Sequence, residues 1–344
     1  MSQLLSELQM RGELREHALG QVFYATDRLG KARYLVKRLS IGPVVSPRSA
    51  QDLAARFAED ANRLAALPPS LRFACVCSTP EDHAANTVVL EQPAGPSLAA
   101  FFEHHPASTA ALLGVAADIV DILLTLETAG IRRINLIPGS FFIGPDGRTQ
   151  YLDLEFAPYE AFERAFPGRL WPEDCRFLTP EQLAGHEGGP ASQVFSLGML
   201  LHLFARGRTP FDAPSPQAVR NLLLNSEAAS IRPDRDDLPP EFADAIDLAV
   251  CRHPEGRPQS LKEFRAAAGL DKAKRASAPL VTMERDHGQV PKEGIWDVVR
   301  RLTSPGEGSE TSSLGPPPWL GKVAVGAAVG VLALIVVLFF WLRK

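Results

Sequence analysis

The spacing of apolar residues changes between residues 92 and 97, and this change limits the folds open to the chain. Before it, short runs such as QVFYATD, ARYLVKRL and NTVVLEQ are typical of strands. One helix interrupts them, since Leu53, Phe57, Ala61 and Leu64 recur at helical spacing. After it, long segments such as STAALLGVAADIVDILLTLETAG predict helices. The pattern predicts an α+β domain over residues 1–270, with a small strand-rich N-lobe (10–92), a larger helical C-lobe (97–270) and a cleft between them.

The composition changes again after this domain. Residues 271–318 contain polar stretches rich in Pro, Gly and Ser, which predict a flexible juxtamembrane linker. Within the linker, Ile295–Leu302 combines apolar and basic residues. This segment is compatible with contact with a membrane surface, with docking of a partner, or with a marginal helix that has no fixed role.

The end of the sequence predicts a transmembrane helix at residues 319–342, followed by a basic tail at 343–344. From Val323 to Leu342 the chain has no charge and no proline. At about 1.5 Å per residue this stretch spans roughly 30 Å, the thickness of a hydrocarbon core. Trp319 and Trp341 stand near its edges, as interfacial tryptophans do. The expected partner of this segment is the lipid bilayer, with the helix acting as a C-terminal anchor.

Two glycines within this segment bear on its oligomeric state. Gly326 and Gly330 form a GxxxG pattern, which permits close approach of two helices and so a homodimer. The equal alternative is that both glycines face the lipid and make no contact with a second helix.

Composition limits the compartment and the partners. The net charge of −4 shows no nucleic-acid signature, so no nucleic-acid partner is expected. The four cysteines lack CxxC spacing, and we expect buried, reduced thiols; a metal site at Cys75 and Cys77 is the alternative. No secretory signal pattern is visible, which favours a cytoplasmic domain. Frequent Ala, Arg and Pro suggest a bacterial inner membrane.

Short motifs follow one another in a definite order. In the strand-rich part these are GQVFYATD, YLVK, RFAEDANRL and VVLEQPAGPSL. In the helical part they are RINLIPGS, DLE, LTPEQL, FSLGMLLHLFARGRTPF and HPEGRP. In this order they resemble the motifs of eukaryotic-type Ser/Thr protein kinases. The resemblance covers residues 10–270 and implies a bilobal protein kinase-like fold.

The resemblance implies a nucleotide site in the cleft. Lys37 of YLVK matches the lysine that holds the α and β phosphates. Asp60, with Glu59 beside it, falls where the family has the glutamate partner of that lysine, and Leu90 takes the gatekeeper place. The implied nucleotide-binding residues are Gly20, Val22, Leu35, Lys37, Asp60, Glu91 and Phe142.

The resemblance also implies metal ligands and a structural ion pair. Asp153 opens DLE where the family has D-F-G, so it matches an Mg²⁺ ligand. Ser140 falls at the place of the second metal ligand, where a hydroxyl is a weaker ligand than an amide oxygen. Glu181 and Arg257 match two residues that form a buried ion pair in the family.

The catalytic loop departs from the family pattern where chemistry is performed. Asn135 replaces the catalytic aspartate, and an amide carries no charge and is a negligible base. Ile137 replaces the lysine that steadies the transferred phosphate, and Ile134 replaces an arginine that reads a phosphorylated loop. Leu136 and Pro138, which shape the loop, match the family. The loop therefore predicts a retained fold with degenerate chemistry.

Further departures concern nucleotide binding. Arg15 and His17 occupy two of the three positions of the glycine-rich loop. Leu35 and Phe142 are larger than the family residues that enclose adenine, so we expect side chains to fill that space. Gln193 replaces the aspartate that braces the catalytic loop.

The activation segment also lacks the usual switch. Between Asp153 and Glu181, Thr179 is the one serine or threonine. Phosphorylation acts by adding negative charge that ordered arginines bind, and this segment offers no acceptor in the usual place.

These observations predict a membrane-tethered pseudokinase that serves as a protein-interaction or allosteric module for an unidentified protein and needs no cofactor. Two alternatives stay open. One is an active or weakly active ATP- and Mg²⁺-dependent Ser/Thr kinase, supported by Lys37 and Asp153. The other is a nucleotide sensor without transfer, which requires that Leu35 and Phe142 leave room for adenine.

Overall fold

The computed structural model describes residues 4–17, 19–41, 45–82, 86–104, 107–166 and 175–271. The predicted linker, transmembrane helix and basic tail lie outside these residues, as does the pair Gly326 and Gly330. The side chains of residues 15–17, which include Arg15 and His17, are outside them too.

The first lobe is built on a five-stranded sheet with the order β1-β2-β3-β5-β4. Its elements are α1 (Leu4–Glu7), β1 (Gln9–His17), β2 (Gly20–Thr26), β3 (Arg33–Leu39), α2 (Pro47–Ala65), β4 (Val76–Ser78) and β5 (Thr87–Glu91). All paired strands run antiparallel, and Lys37 in β3 pairs with Val22 in β2 and Val88 in β5. This register places Lys37 at the centre of the sheet.

Helix α2 is the helix that the apolar spacing predicts. Ser46 caps its N-terminus by accepting a hydrogen bond from the Ser49 backbone N–H at 3.1 Å, and Pro47 occupies the first turn. Leu53, Phe57 and Ala61 are buried. The helix therefore turns one apolar stripe toward the core and brings Phe57 toward the cleft.

The second lobe is mainly helical. It contains α3 (Leu98–His104), α4 (Thr109–Thr128), β6 (Phe141–Ile143), β7 (Thr149–Tyr151), α5 (Tyr159–Ala165), α6 (Pro180–Leu183), α7 (Pro190–Arg206), α8 (Pro216–Asn225), α9 (Pro240–Ala249) and α10 (Leu261–Ala267). Short 3-10 turns lie at Pro80–Asp82, Pro138–Ser140, Cys175–Phe177 and Pro254–Gly256. Helix α5, within the activation segment, has no counterpart among the sequence-predicted elements.

Helix α4 is long and apolar enough to cross a membrane by length and composition alone, with a mean hydropathy of 1.9. More than half of its residues are buried inside the protein. They include Asp118, which pairs with Arg148 and accepts a hydrogen bond from the Thr149 backbone N–H at 3.2 Å. Packing in the lobe core therefore accounts for its apolar character.

The two lobes are joined by backbone hydrogen bonds beside the cleft. The Tyr151 N–H donates to the Arg72 carbonyl at 2.7 Å, and the Ala74 N–H donates to the Tyr151 carbonyl at 2.8 Å. On the other side, the segment after β5 passes close to β6, where a methyl group on Gly95 would lie 2.4 Å from the Ile143 carbonyl. These contacts fix the end of β7, from which the residues of the DLE motif continue.

The thiols differ from the prediction. Cys75 is exposed, and Cys77, Cys175 and Cys251 are half-buried. All four are free. The expectation of buried thiols is wrong. For Cys75 and Cys77 the reason is that β4 is an edge strand, whose residues are covered on one side only.

Glu181 and Arg257 form the ion pair that the resemblance implies. Arg257 Nη1 lies 2.8 Å from Glu181 Oε1, and Nη2 donates to Oε2 at 3.0 Å. Arg257 also donates to the backbone carbonyls of Cys251 and Arg252. Burial favours a raised pKa for Glu181, but hydrogen bonds and charge from Arg257 lower its pKa below the ordinary value. The pair connects α6 to the segment after α9.

We expect Glu181→Gln to destabilise the chain by about 3 kcal/mol at neutral pH, because it leaves the buried Arg257 charge without a counter-charge. Since the pKa of Glu181 is lowered on folding, the stability from its ionised form is present above the ordinary pKa of 4.5 and is lost as the pH falls through the folded-state pKa. The difference between parent and variant should therefore shrink on acidification, as measured by urea unfolding across pH. Asp244→Asn, which breaks an exposed pair with Arg232, is the control and should cost less than about 1 kcal/mol. A Glu181→Gln effect that is equal at all pH values would contradict this account.

Candidate functional site

Lys37 is the central cation of the cleft. Its side chain is buried, with 2% of the residue exposed. The ammonium lies 2.9 Å from Asp153 Oδ2 and donates to the backbone carbonyls of Asp153, at 3.3 Å, and Glu155. The expected pair with Asp60 is not formed, because Asp60 binds another cation. All the hydrogen bonds of the Lys37 ammonium within the described residues go to the segment after β7.

Two phenyl rings enclose this ammonium. Phe57 comes from α2, and Phe156 directly follows the DLE motif. The Lys37 nitrogen lies 5.2 Å from the Phe57 centroid and 5.4 Å from the Phe156 centroid. The rings are stacked, with centroids 6.1 Å apart and planes at 9°. Cation–π attraction therefore adds to the ion pair. The two rings also cover the ammonium and shield it from water.

Arg133, at the start of the catalytic loop, is the second buried cation and is 5% exposed. Its Nη1 donates to Asp60 Oδ2 at 2.7 Å, and its Nη2 lies 3.2 Å from Asp153 Oδ1. Its Nε lies 3.0 Å from Glu155 Oε2, and this contact is charge attraction, since Nε makes no hydrogen bond within the described residues. Burial favours a lowered pKa for Arg133, but Asp153 and Glu155 raise it well above the ordinary value. One guanidinium thus joins α2, the catalytic loop and the DLE motif.

Asp153 is fully engaged by protein groups. Its Oδ2 faces Lys37, and its Oδ1 faces Arg133 and accepts a hydrogen bond from the Tyr151 hydroxyl at 3.1 Å. Burial favours a raised pKa for Asp153, but the charges of Arg133 and Lys37 lower it. Burial and the Asp153 charge raise the pKa of Tyr151 well above its ordinary value, so Tyr151 remains a neutral donor. Asp153 is therefore an ionised carboxylate with both oxygens in use.

Asn135, at the place where the resemblance implies a catalytic aspartate, is held in a network of side-chain amide hydrogen bonds. Its Nδ2 donates to the Phe177 carbonyl at 3.0 Å and to Gln182 Oε1 at 2.8 Å. In return, Gln182 Nε2 donates to Asn135 Oδ1 at 3.0 Å and to Glu160 Oε1 at 2.7 Å. Gln182 also accepts from the Thr179 N–H at 3.2 Å within the capping box of α6. The network ties the catalytic loop to the end of the activation segment.

The remaining catalytic-loop residues are packed. Ile137 and Ser140 are buried, and the Leu152 N–H donates to the Ser140 carbonyl at 2.9 Å. Gln193 Nε2 donates to the Arg133 carbonyl at 3.0 Å, so Gln193 braces the loop through the backbone. The loop is thereby fixed around Arg133.

The described side chains leave little space in the upper part of the cleft. A methyl group on Gly20 would lie 2.5 Å from Phe156 Cε1 and 2.1 Å from the Arg38 carbonyl, so the Phe156 ring packs directly under β2. Beside Lys37, between α2 and the DLE motif, a cavity that Leu90 and Asp153 also line holds about 10 Å³. Val22, Leu35, Leu90 and Phe142 are all buried, while Glu91 is exposed.

Sequence reasoning located Lys37, Asp60, Asp153 and Asn135 but missed the residues that occupy the site. These are Arg133, Tyr151, Phe156 and Gln182. One signal was available for Arg133, because the family has histidine at its position and glycine at the position of Glu155. Arg133 adds a positive charge to one motif and Glu155 adds a negative charge to another. Because the two motifs meet in the cleft, these charges indicate an ion pair.

Comparison with known proteins shows similarity to Ser/Thr protein kinases, although no protein-family model matches. The chain is 24% identical over 233 residues to the serine/threonine-protein kinase PknL of Mycobacterium tuberculosis, covering 62% of this chain and 58% of PknL. It is 26% identical over 149 residues to PknA of the same organism, covering 43% of this chain and 34% of PknA. It is 29% identical over 147 residues to drp72 of Corynebacterium efficiens, covering 42% of this chain and 28% of drp72. The matched region thus spans a little more than half the length of PknL and about a third or less of PknA and drp72.

These similarities support a relationship to the Ser/Thr protein kinases. Together with the strand-rich sheet followed by helices, they support a kinase-like α+β fold.

The Arg133 guanidinium should be the main stabilising group of the site. We expect Arg133→Met to destabilise the chain by about 3–5 kcal/mol in urea unfolding, because Asp153 and Glu155 would share only Lys37 as a counter-charge. Arg132→Met is the matched control: Arg132 is half exposed and lies 3.7 Å from Glu127, so its loss should cost less than about 1 kcal/mol. Adding Glu155→Gln to Arg133→Met should recover part of the loss. Equal stabilities for the two arginine variants would refute the assignment.

Proposed function

We propose that this chain is a membrane-tethered pseudokinase that binds a partner protein and transfers little or no phosphate. One observation carries the proposal. The two buried cations, Lys37 and Arg133, are both engaged with the acidic residues of the DLE motif, Asp153 and Glu155. Charges that a kinase directs at nucleotide and metal are here directed at one another.

The residues present do not fit Mg²⁺ and nucleotide in this arrangement. Mg²⁺ requires oxygen ligands at about 2.0–2.1 Å in octahedral geometry. Asp153 Oδ2 faces Lys37, and its Oδ1 faces Arg133 and accepts a hydrogen bond from the Tyr151 hydroxyl. The Arg133 guanidinium beside Asp153 and Glu155 also repels a metal ion. The Phe156 ring packs under Gly20, where phosphates would have to approach the backbone. The proposed function therefore uses no cofactor.

The catalytic loop supports the same proposal. Transfer to a hydroxyl requires a group that orients the substrate and accepts its proton. Asn135 is uncharged, and its amide already bonds to Gln182 and the Phe177 carbonyl. Within the described parts of the chain, no titratable side chain is hydrogen-bonded to Asn135. The loop is suited to holding a shape.

What the domain retains is a bridged two-lobed shape. Arg133 joins α2 to the catalytic loop, and Lys37 joins β3 to the segment after β7. Such a body presents fixed outer surfaces to a partner without waiting for a ligand to order them. The partner we propose is a protein, and its identity is open.

The membrane tether is part of the proposal and rests on sequence. We propose that residues 319–342 span a bilayer, with the kinase-like domain on the cytoplasmic side of a bacterial inner membrane and residues 271–318 as linker. In this proposal Gly326 and Gly330 form the contact of a homodimer.

An active Ser/Thr kinase is the second candidate. It is favoured by the similarity to proteins named Ser/Thr kinases and by the close Lys37–Asp153 pair. A nucleotide sensor without transfer requires the same cleft to open. Both alternatives need Phe156 and Arg133 to move, which makes nucleotide binding the decisive measurement.

The first test is a thermal-shift titration of the full chain in mild detergent with ATP, with and without Mg²⁺. A ligand at about 100 times its Kd adds about 2.7 kcal/mol of stability, so binding is readily detected. We expect no shift at millimolar ATP, because side chains occupy the site. The variant Phe156→Ala removes the ring under Gly20 and so tests whether this ring blocks ATP binding. Its matched control is Phe162→Ala, which removes a buried ring from α5. A saturable, Mg²⁺-dependent shift in the parent would favour the sensor or the kinase.

The second test measures phosphate transfer with radiolabelled ATP, to the chain itself and to a generic protein substrate. We expect the parent to give the same background as Lys37→Ala. Transfer that is present in the parent and lost in Lys37→Ala would overturn the pseudokinase and establish the second candidate. Comparing the chains at equal folded fraction, by circular dichroism, separates loss of activity from loss of structure.

A further inference from the structure

Two cysteines lie together on the edge of the sheet, outside the cleft. Cys75 directly precedes β4, and Cys77 is in the middle of it. Because β4 is at one end of the strand order, its outer edge has no strand partner within the described sheet. Cys75 is exposed, so reagents in solvent reach this pair.

A break in strand register occurs at the same place. Val76 pairs with Leu90, and Ser78 pairs with Val89, so Cys77 is the extra residue of a β-bulge. A bulge bends the strand and turns its side chains away from strict alternation. The Cys77 thiol donates a hydrogen bond to the Cys75 backbone carbonyl, with sulfur and oxygen 3.7 Å apart. The bulge therefore turns the Cys77 thiol back toward Cys75.

The surroundings give the two thiols different characters. Cys77 packs on the apolar cluster of Ala25, Val36 and Val89. Burial raises the pKa of Cys77 to about 12, with further contributions from Cys75 and Glu91. Cys77 therefore remains protonated, and the exposed Cys75 is the thiol that an oxidant in solvent reaches first.

Both thiols are anchored by backbone contacts that hold them in place. The Glu91 N–H donates to the Cys75 carbonyl at 2.9 Å, and β4 pairs with β5 on either side of Cys77. Cys175 and Cys251 lie in the helical lobe, apart from this strand, and supply internal controls. Within the described residues, no group of three or more metal-ligating side chains is formed.

We propose that Cys75 and Cys77 form a redox modification site that takes two-electron thiol oxidants, hydroperoxides in particular, and closes to an intramolecular disulfide. The Cys75 thiolate attacks the peroxide oxygen, which forms Cys75 sulfenic acid and releases hydroxide or alkoxide. The Cys77 sulfur then attacks the Cys75 sulfur, the S–O bond breaks, and the hydroxyl leaves as water with the Cys77 proton. The two thiols lose two electrons and two protons in total, and the peroxide is reduced. A dithiol reductant reverses the step by thiol–disulfide exchange.

The test treats the full, reduced chain with hydrogen peroxide under native conditions, blocks the remaining thiols by alkylation, and identifies the products by mass spectrometry. We expect a chain that has lost two hydrogens, with a single disulfide joining Cys75 to Cys77 and with Cys175 and Cys251 alkylated. A dithiol reductant should restore all four thiols.

Three variants make the result specific. Cys75→Ser should abolish the product. Cys77→Ser should leave Cys75 as sulfenic acid or carry it on to sulfinic acid, because the resolving thiol is gone. The double variant of Cys175→Ser and Cys251→Ser should form the disulfide at the parental rate. A disulfide between two chains, or stable sulfenic acid on Cys75 in the parent, would overturn the proposal.

Discussion

The buried guanidinium of Arg133 is the interaction on which the site depends. It contacts Asp60 on α2, Asp153 and Glu155, so three separate segments meet at one side chain. A charge buried to this degree is strongly unfavourable unless it is paired and hydrogen-bonded. The three carboxylates meet that requirement, and Lys37 balances Asp153 from the other side. The arrangement needs no ligand, because each charged group provides the counter-charge that keeps its neighbours ionised when they are buried.

This self-sufficiency explains why the altered residues form a consistent set. A site that transfers phosphate keeps cations and carboxylates ready for a ligand, at a cost in stability. Arg133 stands where the kinase pattern that the chain resembles has histidine, and Glu155 stands where it has glycine. These two charges face each other, and Asn135, where the pattern has aspartate, is uncharged. In the proposed pseudokinase the charges of the site neutralise one another within the protein, while Leu136 and Pro138 maintain the loop.

Sequence reasoning succeeded where a residue's role follows from its place along an element. The apolar spacing of Leu53, Phe57 and Ala61 identified helix α2, and the order of motifs located Lys37 in β3 and the Glu181–Arg257 pair. It failed where two cations lie close to the same carboxylate and only the three-dimensional structure shows which of them forms the ion pair. Lys37 was expected to pair with Asp60. In the structure Asp60 pairs with Arg133, and Lys37 pairs with Asp153. The exposure of Cys75 likewise depends on the edge position and bulge of β4, and neither follows from alternation within a single strand.

The amide network around Asn135 depends on an amide side chain at this position. Asn135 Nδ2 donates two hydrogen bonds, to the Phe177 carbonyl and to Gln182 Oε1. A carboxylate at this position can accept but cannot donate, so an aspartate would face two oxygen acceptors across buried contacts. Gln182 could rotate its amide to meet the new charge, but it would then lose its donation to Glu160 and its acceptance from Thr179. The Phe177 carbonyl would lose the Asn135 bond in either case. Restoring the catalytic acid would therefore disturb the junction between the loop and α6, while Arg133 and Phe156 would still occupy the cleft.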